Sequence, residues 1–488
     1  MTTEKTAPAA GPDEERHPRA AVVVLSAAGI VVALMQTVIV PLIPKLPTLL
    51  HARDEHATWA LTVTLLVGAV ITPIGGRLGD MYGKRRMLLA SMGAVALGSV
   101  VCAVSGSLLP FLIGRGLQGL GFGTIALGIS AMRDIVPPRR LGASVGAMSA
   151  SLGIGGALGL PVAASIAEFV GWHVLFWLCA LAAALAGIGI MLTVPESTGR
   201  AGGHFDSLGA LGLAAMLTCL LLPLSMGATW GWGSPKTVGM FVALAVIAAL
   251  WCTYELRRPT PLIDLRLAAG RPVLLTNVAS IATGFAFYSM QIMPIQLLMA
   301  PTTSELGLGY QMATAALVLA PSGILMFLFS HVSSWITDRY GPRTALALGG
   351  AGLGLAYAVL LLPLTTDVPF TWWLMLIIAC ISGAGLGTAY AAMPALIMRA
   401  VPVAQTGEAN GVNALMRVIG TSTSAALVGM ILTWSMVPVL DADGHTRNVP
   451  DVSGYLTAAL ISLVACAVAA LVALAIPAAR PSPVIEDV

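Results

Sequence analysis

The sequence predicts an all-α polytopic membrane protein with fourteen transmembrane helices. Hydrophobic residues make up 57% of the 488 residues and charged residues only 10%, whereas a soluble domain carries about 25% charged residues. A spanning helix needs about 20 mainly apolar residues, and fourteen stretches of the chain meet that requirement. The basic residues concentrate in alternate loops between these stretches, as they do when the number of spans is even.

The fourteen spans follow one another with short connections. Short turns separate neighbouring spans around 107–109 and 168–173, where the boundaries are weakest. The predicted spans are 20–43, 58–79, 87–107, 109–131, 142–168, 173–194, 207–228, 237–256, 272–299, 311–337, 344–364, 372–398, 408–434 and 454–478.

The distribution of Lys and Arg predicts the orientation of the chain. With the N-terminus inside, only Lys45, Arg53, Lys236 and Arg447 of the 25 basic residues fall in outer loops. Arg115 and Arg417 lie within spans, and the others face the cytoplasm. Because cytoplasmic loops of membrane proteins are enriched in Lys and Arg, we expect a multi-pass plasma (inner) membrane protein, from a bacterium, with both termini cytoplasmic.

The same composition excludes several other classes of protein. A net charge of +3 makes nucleic acid an unsuitable partner. The six cysteines all lie inside apolar stretches, where cysteine behaves as a small hydrophobic residue. We therefore expect neither a disulfide framework nor a metal site, and the sequence indicates no cofactor.

An internal repeat divides the chain into two halves. Asp80 and Gly83 follow the second span with Lys84, Arg85 and Arg86 behind them, while Asp338 and Gly341 follow the tenth span at matching spacing with Arg343 behind them. Duplicated halves are typical of secondary transporters. The predicted segments are a cytoplasmic tail 1–19, a six-helix bundle 20–194, a linker 195–206, two central helices 207–256, a linker 257–271, a second six-helix bundle 272–478 and a cytoplasmic tail 479–488.

The loop after the second span resembles the cytoplasmic loop signature of the major facilitator superfamily. Gly76, Leu78 and Asp80 match the signature, as do Gly83 and the three basic residues behind it, whereas Met81 replaces a basic residue. The resemblance implies the major facilitator fold in a 6+2+6 arrangement of its helices. It also implies a latch that holds the two bundles in the outward-facing state, formed by Gly76, Asp80, Gly83, Lys84, Arg85, Arg86 and, in the second repeat, Asp338.

The fourth span carries a charge that the membrane does not favour. Arg115 lies in it with Gln118 three residues on, so the two share one face of the helix. An arginine inside a bilayer is costly and marks a functional site by default, although an arginine that extends towards the interface is the alternative. The pattern is similar to the superfamily's Arg-x-x-Gln-Gly element, which implies a role in proton coupling.

The fifth span resembles the antiporter signature of drug exporters. Gly155, Gly159 and Pro161 lie in a Gly-rich stretch, with the proline one place later than the signature has it. Small residues at four-residue spacing also promote helix packing, which is the alternative interpretation. Together with the loop signature, this stretch makes the chain similar to the fourteen-helix drug:proton antiporters.

The first span lacks the acid that these antiporters carry. Met35 stands where the resemblance implies an aspartate, so this position cannot bind a proton. The acids nearest to a span centre are Glu168, near the outer end of the fifth span, and Asp134, at the inner end of the fourth, and Glu168 lies toward the same outer side as Arg115. We expect a Glu168–Arg115 pair to couple protons to transport, and an interfacial Glu168 in water is the alternative.

By analogy with the superfamily, the first, fourth, ninth and twelfth spans line a central cavity. The predicted cavity residues are Met35, Gln36, Gln118, Tyr288, Gln291, Tyr390 and Met393.

The function predicted from the sequence is secondary active transport. The protein would export hydrophobic or amphipathic small molecules, such as drugs, antibiotics or metabolites, in exchange for protons, and would act as a monomer in the lipid bilayer. An uncoupled facilitator, or an exporter of one endogenous metabolite, is the alternative that Met35 favours. No P-loop, HExxH or GxSxG motif supports an ATP-driven pump or a membrane enzyme.

Overall fold

The computed structural model describes residues 12–39, 42, 46–50, 59–196, 204–304, 306–440 and 446–477. Within these residues the chain forms fourteen long helices, numbered here in chain order. They are α1 Pro12–Thr37, α2 Trp59–Tyr82, α3 Lys84–Val104, α4 Leu108–Ile135, α5 Pro138–Phe169, α6 Trp172–Thr193, α7 Ser207–Trp230, α8 Pro235–Arg257, α9 Arg271–Met299, α10 Met312–Tyr340, α11 Pro342–Thr365, α12 Trp372–Ala400, α13 Thr406–Trp434 and α14 Val452–Ala475.

The lengths and compositions of these helices suit a membrane. Thirteen of them, in the part of the chain that the structure describes, are long and apolar enough to span a bilayer. The other, α5, has 32 residues, and several of its side chains lie outside the described set. The predicted all-α polytopic fold is confirmed, and the first helix ends at Thr37 rather than at 43.

Glycine makes the same turn in both sequence repeats. Gly83 separates α2 from α3 with φ +107°, and Gly341 separates α10 from α11 with φ +87°. A residue with a β-carbon is strained in this conformation, whereas glycine adopts it readily. Each turn therefore joins two long helices through one residue, and in the predicted orientation both turns lie at the cytoplasmic side.

The buried apolar side chains form two large clusters and a smaller junction. One cluster is built mainly from α1 to α6 and another mainly from α9 to α14. A third cluster packs Leu213 and Leu217 of α7 and Trp251 of α8 against Ala69 of α2 and Leu415 of α13. The two central helices therefore cover the seam where α2 meets α13.

A short β-hairpin, which the sequence analysis did not predict, connects α13 to α14. Strands β1 Met436–Leu440 and β2 Thr446–Pro450 pair antiparallel, with Met436 opposite Pro450 and Leu440 opposite Thr446. The hairpin lies at the predicted outer side, opposite the two repeats.

Candidate functional site

The end of α2 is bound to the start of α13 through Asp80. The Asp80 side chain is buried, and its two oxygens accept hydrogen bonds from the backbone N–H groups of Gly407 (3.2 Å) and Glu408 (2.9 Å). These are first-turn N–H groups, which have no acceptor within their own helix. A carboxylate there also interacts favourably with the helix dipole, so Asp80 holds α13 by both effects.

Glycines let the backbones of α2 and α13 touch beside Asp80. A β-carbon on Gly76 would overlap the carbonyl group of Gly407, and one on Gly411 would lie 2.8 Å from the carbonyl oxygen of Thr72. Small residues permit such close approach between membrane helices. The α2–α13 contact is defined here as Gly76 and Asp80 of α2 together with Gly407 and Glu408 of α13.

A further layer of polar contacts surrounds the α2–α13 contact. Arg77 pairs with Glu408 at 3.4 Å, and the other Glu408 oxygen accepts a hydrogen bond from the backbone N–H of Asp264 at 2.7 Å. Asp264 belongs to the loop after α8, so the central helices also bind to the start of α13. Arg133 of α4 donates hydrogen bonds to the Thr406 hydroxyl and the Val401 carbonyl.

The predicted basic latch residues find their partners in the first half of the chain, in α4 and just after α6. Lys84 pairs with Asp134 at 2.8 Å. Arg86 pairs with Glu196 just beyond α6 at 2.8 Å, while Arg85 lies 4.0 Å from the same carboxylate and donates to the Met191 carbonyl. These contacts fix the α2–α3 turn against α4 and α6, whereas Asp80 reaches across to α13.

The second repeat makes a related contact between α10 and α5. The Ser334 hydroxyl donates to the Gly142 carbonyl at 2.8 Å, and a β-carbon on Gly146 would lie 2.9 Å from the Ser330 carbonyl oxygen. Ser334 and Ser330 stand four and eight residues before Asp338, as Gly76 and Thr72 stand before Asp80. Asp338 lies near Gly142 but is exposed. The two contacts are therefore in similar positions, but Asp80 is buried and Asp338 is not.

Two acidic side chains meet at the cytoplasmic ends of α7 and α8. Both Asp206 and Glu255 are buried, and one oxygen of each lies within 3 Å of the point where a β-carbon on Gly209 would be. Neither of these two oxygens has a hydrogen-bond partner among the described residues. The second Glu255 oxygen accepts from Leu262 N–H at 2.9 Å, in the loop that leads to Asp264. A hydrogen bond with the Tyr254 hydroxyl raises the pKa of nearby Arg258.

Arg115 is enclosed within the first six helices. Its Nε donates to the Ala60 carbonyl at 3.1 Å, and Nη1 donates to the Met35 carbonyl at 3.2 Å and to Gln118 at 2.6 Å. Gln118 donates in turn to Ser99 at 2.8 Å. Arg115 has no exposed surface, and its Nη2 has no partner among the described residues. Arg115, Gln118 and Met35 thus form one buried group rather than an open cavity wall.

The glycines of α5 pack against α1. A β-carbon on Gly155 would overlap Ala33, and one on Gly159 would overlap the Thr37 hydroxyl. This geometry supports the helix-packing interpretation of these positions. The side chains of Pro161 and Glu168 lie outside the described residues.

The remaining predicted cavity residues lie on different surfaces. Gln36 and Tyr288 are half-buried and Gln291 is exposed. Tyr390 is buried beside Phe287, with ring centroids 6.0 Å apart. Met393 is fully buried, and its sulfur accepts a hydrogen bond from Ser280 at 3.2 Å.

Sequence reasoning did not select Arg77, Arg133 or Glu408 as site residues, and it noted Arg417 only as an arginine within a span. Glu408 could have been found from the sequence, because it is an acidic residue in the first turn of a predicted membrane helix.

Known proteins resemble this chain in sequence and in fold. The sequence profile of the Major Facilitator Superfamily matches residues 25–425. An uncharacterized MFS-type transporter of Mycobacterium tuberculosis is 28% identical over 68% of this chain, which spans about half (52%) of that relative's length. The tetracenomycin C resistance and export protein of Streptomyces glaucescens is 28% identical over 65% of this chain and 58% of its own length. Multidrug resistance protein 3 of Bacillus subtilis is 24% identical, over 79% and 73%.

The fold agrees with the sequence profile. The crystal structure of the human organic anion transporter MFSD10 superimposes with a TM-score of 0.63 at 14% identity, covering 93% of this chain and 99% of the other. At that identity the likeness establishes the fold alone. Because the profile covers most of the chain and the helices adopt the same fold, this chain belongs to the major facilitator superfamily.

Proposed function

We propose that the protein is a secondary transporter that exports hydrophobic or amphipathic small molecules in exchange for protons. It would work as a monomer in a bacterial inner membrane, with both termini in the cytoplasm. Membership of the superfamily supports transport. The names of two relatives, a tetracenomycin C export protein and a multidrug resistance protein, support export of amphipathic molecules.

The observation that carries this proposal is the bonding of Asp80 to the start of α13. Two hydrogen bonds and a glycine contact join helices from the two halves at the predicted cytoplasmic side. Breaking them unwinds neither helix, because Asp80 uses N–H groups that the helix itself leaves free. The two six-helix bundles would then rock around a central site, as alternating access requires, and in this proposal the α2–α13 contact belongs to the state closed to the cytoplasm.

The proton is assigned in this proposal to Glu168, with Arg115 as its partner. Arg115 keeps one nitrogen, Nη2, without a partner among the described residues, so a carboxylate could bind it without displacing the three acceptors already present. Replacing Glu168 with Gln is expected to abolish the pH dependence of transport while the protein stays folded. Unchanged pH dependence in Glu168→Gln would remove this acid from the mechanism.

The test of the function is proton flux in proteoliposomes that contain a pH-sensitive dye. Neutral, anionic and cationic amphiphiles are added in turn, and empty liposomes serve as the control. Proton movement that depends on both protein and substrate is the expected result. Substrate movement without protons would favour the uncoupled facilitator, which is the alternative that Met35 suggests, and movement of neither would contradict transport.

A further inference from the structure

Arg417 is an arginine near the middle of the membrane that retains surface for a ligand. It lies eleven residues into α13, which at 1.5 Å per residue is roughly 16 Å from the start of that helix. Its side chain is half-buried, in contrast to Arg115, which has no exposed surface.

Aromatic rings lie on one side of the Arg417 guanidinium. The guanidinium carbon lies 5.2 Å from the centroid of the Tyr390 ring, and Phe287 packs edge-on against that ring. Cations are attracted to aromatic faces at this distance. Tyr390 and Phe287 belong to α12 and α9, so side chains of three helices converge here.

A polar network holds Arg417 in place. The Asn413 side-chain oxygen accepts a hydrogen bond from Arg417 at 2.9 Å. The Asn413 amide nitrogen donates to Asn277 at 3.0 Å and to Ser280 at 2.7 Å, both on α9. Because these bonds fix which end of the amide faces Arg417, the guanidinium is oriented before any ligand binds.

No carboxylate pairs with Arg417 among the side chains that the structure describes. Arg77, by comparison, pairs with Glu408, and Arg115 uses three acceptors. Among the described residues Arg417 donates one side-chain hydrogen bond, to Asn413, which leaves most of its five N–H donors without a described acceptor. An arginine at membrane depth with free donors is costly unless a ligand or water completes it.

We propose that Arg417, Tyr390 and Phe287 form a substrate subsite for the carboxylate of an aromatic organic acid. The guanidinium binds a carboxylate through two parallel N–H···O bonds, while the half-buried ring of Phe287 contacts the aromatic part of the substrate and the buried ring of Tyr390 supports the guanidinium from behind. The proposal rests on the proposed function and narrows it, since it makes organic monocarboxylates a preferred substrate class.

The test measures equilibrium binding to the purified full chain in lipid nanodiscs. The probes are 1-pyrenebutyrate and its neutral methyl ester, followed by fluorescence. Wild-type protein is expected to bind the carboxylate at least tenfold more tightly than the ester. Arg417→Gln is expected to remove that preference and to leave ester binding within about twofold. The matched control is Arg339→Gln, at an exposed arginine near the end of α10, which should retain the preference.

A second variant keeps the test decisive if Arg417→Gln does not fold. Phe287→Leu retains the cation but removes the half-buried ring, so it is expected to weaken binding of both probes while preserving the carboxylate preference. Equal binding of both probes by wild-type protein, or a full preference in folded Arg417→Gln, would overturn the subsite.

Failure of this subsite differs from failure of the proposed function. Carboxylate binding in nanodiscs without any transport in proteoliposomes would support the subsite and contradict export. Transport of the ester by a protein with no carboxylate preference would support export and contradict the subsite.

Discussion

Two arginines at membrane depth, Arg115 and Arg417, have different surroundings and therefore different expected roles. Arg115 is fully enclosed and donates to Ala60, Met35 and Gln118, so it joins α1, α2 and α4. Arg417 is half-buried and stacks on Tyr390, so it keeps donors available. The residue type alone does not separate these roles, because both arginines stand in apolar stretches of sequence.

Replacing Arg115 with Met is expected to destabilise the fold rather than change substrate preference. The substitution removes the Arg115 donor from the Met35 carbonyl and the Gln118 oxygen, and each such loss costs about 1–3 kcal/mol. The Ala60 carbonyl keeps the Thr64 hydroxyl as a donor. Thermal unfolding in detergent should show a lower midpoint than for Arg417→Met, which is the matched control. A selective loss of carboxylate substrates in Arg115→Met would contradict this role.

Replacing Glu255 with Gln is expected to stabilise the protein. One Glu255 oxygen and one Asp206 oxygen are buried near each other without donors among the described residues, and the new amide N–H₂ supplies a donor for Asp206. The gain should be about 1 kcal/mol, seen as a higher midpoint of thermal unfolding. Glu255→Leu, which also removes the acceptor for Leu262 N–H, should lower the midpoint. A Glu255→Gln midpoint below that of wild type would count against this interpretation.

At the scale of elements, α2 of the first half and α13 of the second half approach closely at Gly76. A β-carbon on Gly76 would overlap the Gly407 carbonyl, whereas one on the neighbouring Gly75 would meet nothing within 4 Å. Both glycines are buried in the same turn of α2. They therefore offer a matched pair of substitutions with the same chemistry and different consequences.

Gly76→Ala is expected to push α2 away from α13 and weaken the α2–α13 contact, while Gly75→Ala is expected to have little effect. The new methyl group must displace backbone rather than a flexible side chain, since its neighbour is a carbonyl group. Initial transport rates in proteoliposomes should fall in Gly76→Ala and stay within about twofold of wild type in Gly75→Ala. Equal rates in the two variants would show that this packing does not matter for transport.

The helices could be predicted from the sequence because each one is recognisable from its own length and apolar composition, without knowledge of its neighbours. All fourteen predicted spans overlap a helix of the structure. The β-hairpin of residues 436–450 was missed because its strands are only five residues each, and such short runs resemble loop. Local sequence alone contains too little information to identify them.

For each contact of the candidate site, the sequence identified one partner and missed the other. The repeat identified Asp80, but its partners Gly407 and Glu408 lie more than 300 residues away, and no local pattern encodes that pairing. Lys84 and Arg86 were predicted in the latch because they share its signature, and the pairing of Lys84 with Asp134 and of Arg86 with Glu196 was not predicted from the sequence. Long-range pairing of charges requires the folded arrangement of the helices.

At the scale of the whole molecule, two related contacts close the predicted cytoplasmic side. Asp80 is buried against α13, whereas its counterpart Asp338 is exposed beside α5. The central helices α7 and α8 cover the first of these contacts and bind it through Asp264 and Glu408. We therefore expect the α2–α13 contact to contribute more to closing this side than the contact of the second repeat.

The most direct test of this account is the spin-label distance between cysteines introduced at Tyr82 and Val403, two exposed positions beside the α2–α13 contact. Native cysteines are replaced beforehand. Asp80→Asn removes a charge worth about 1 kcal/mol at a helix N-terminus, a shift of roughly fivefold in the equilibrium. We predict one short distance in wild type, an added longer population in Asp80→Asn and little change in Asp338→Asn. A distance distribution that Asp80→Asn leaves unaltered would contradict the central claim.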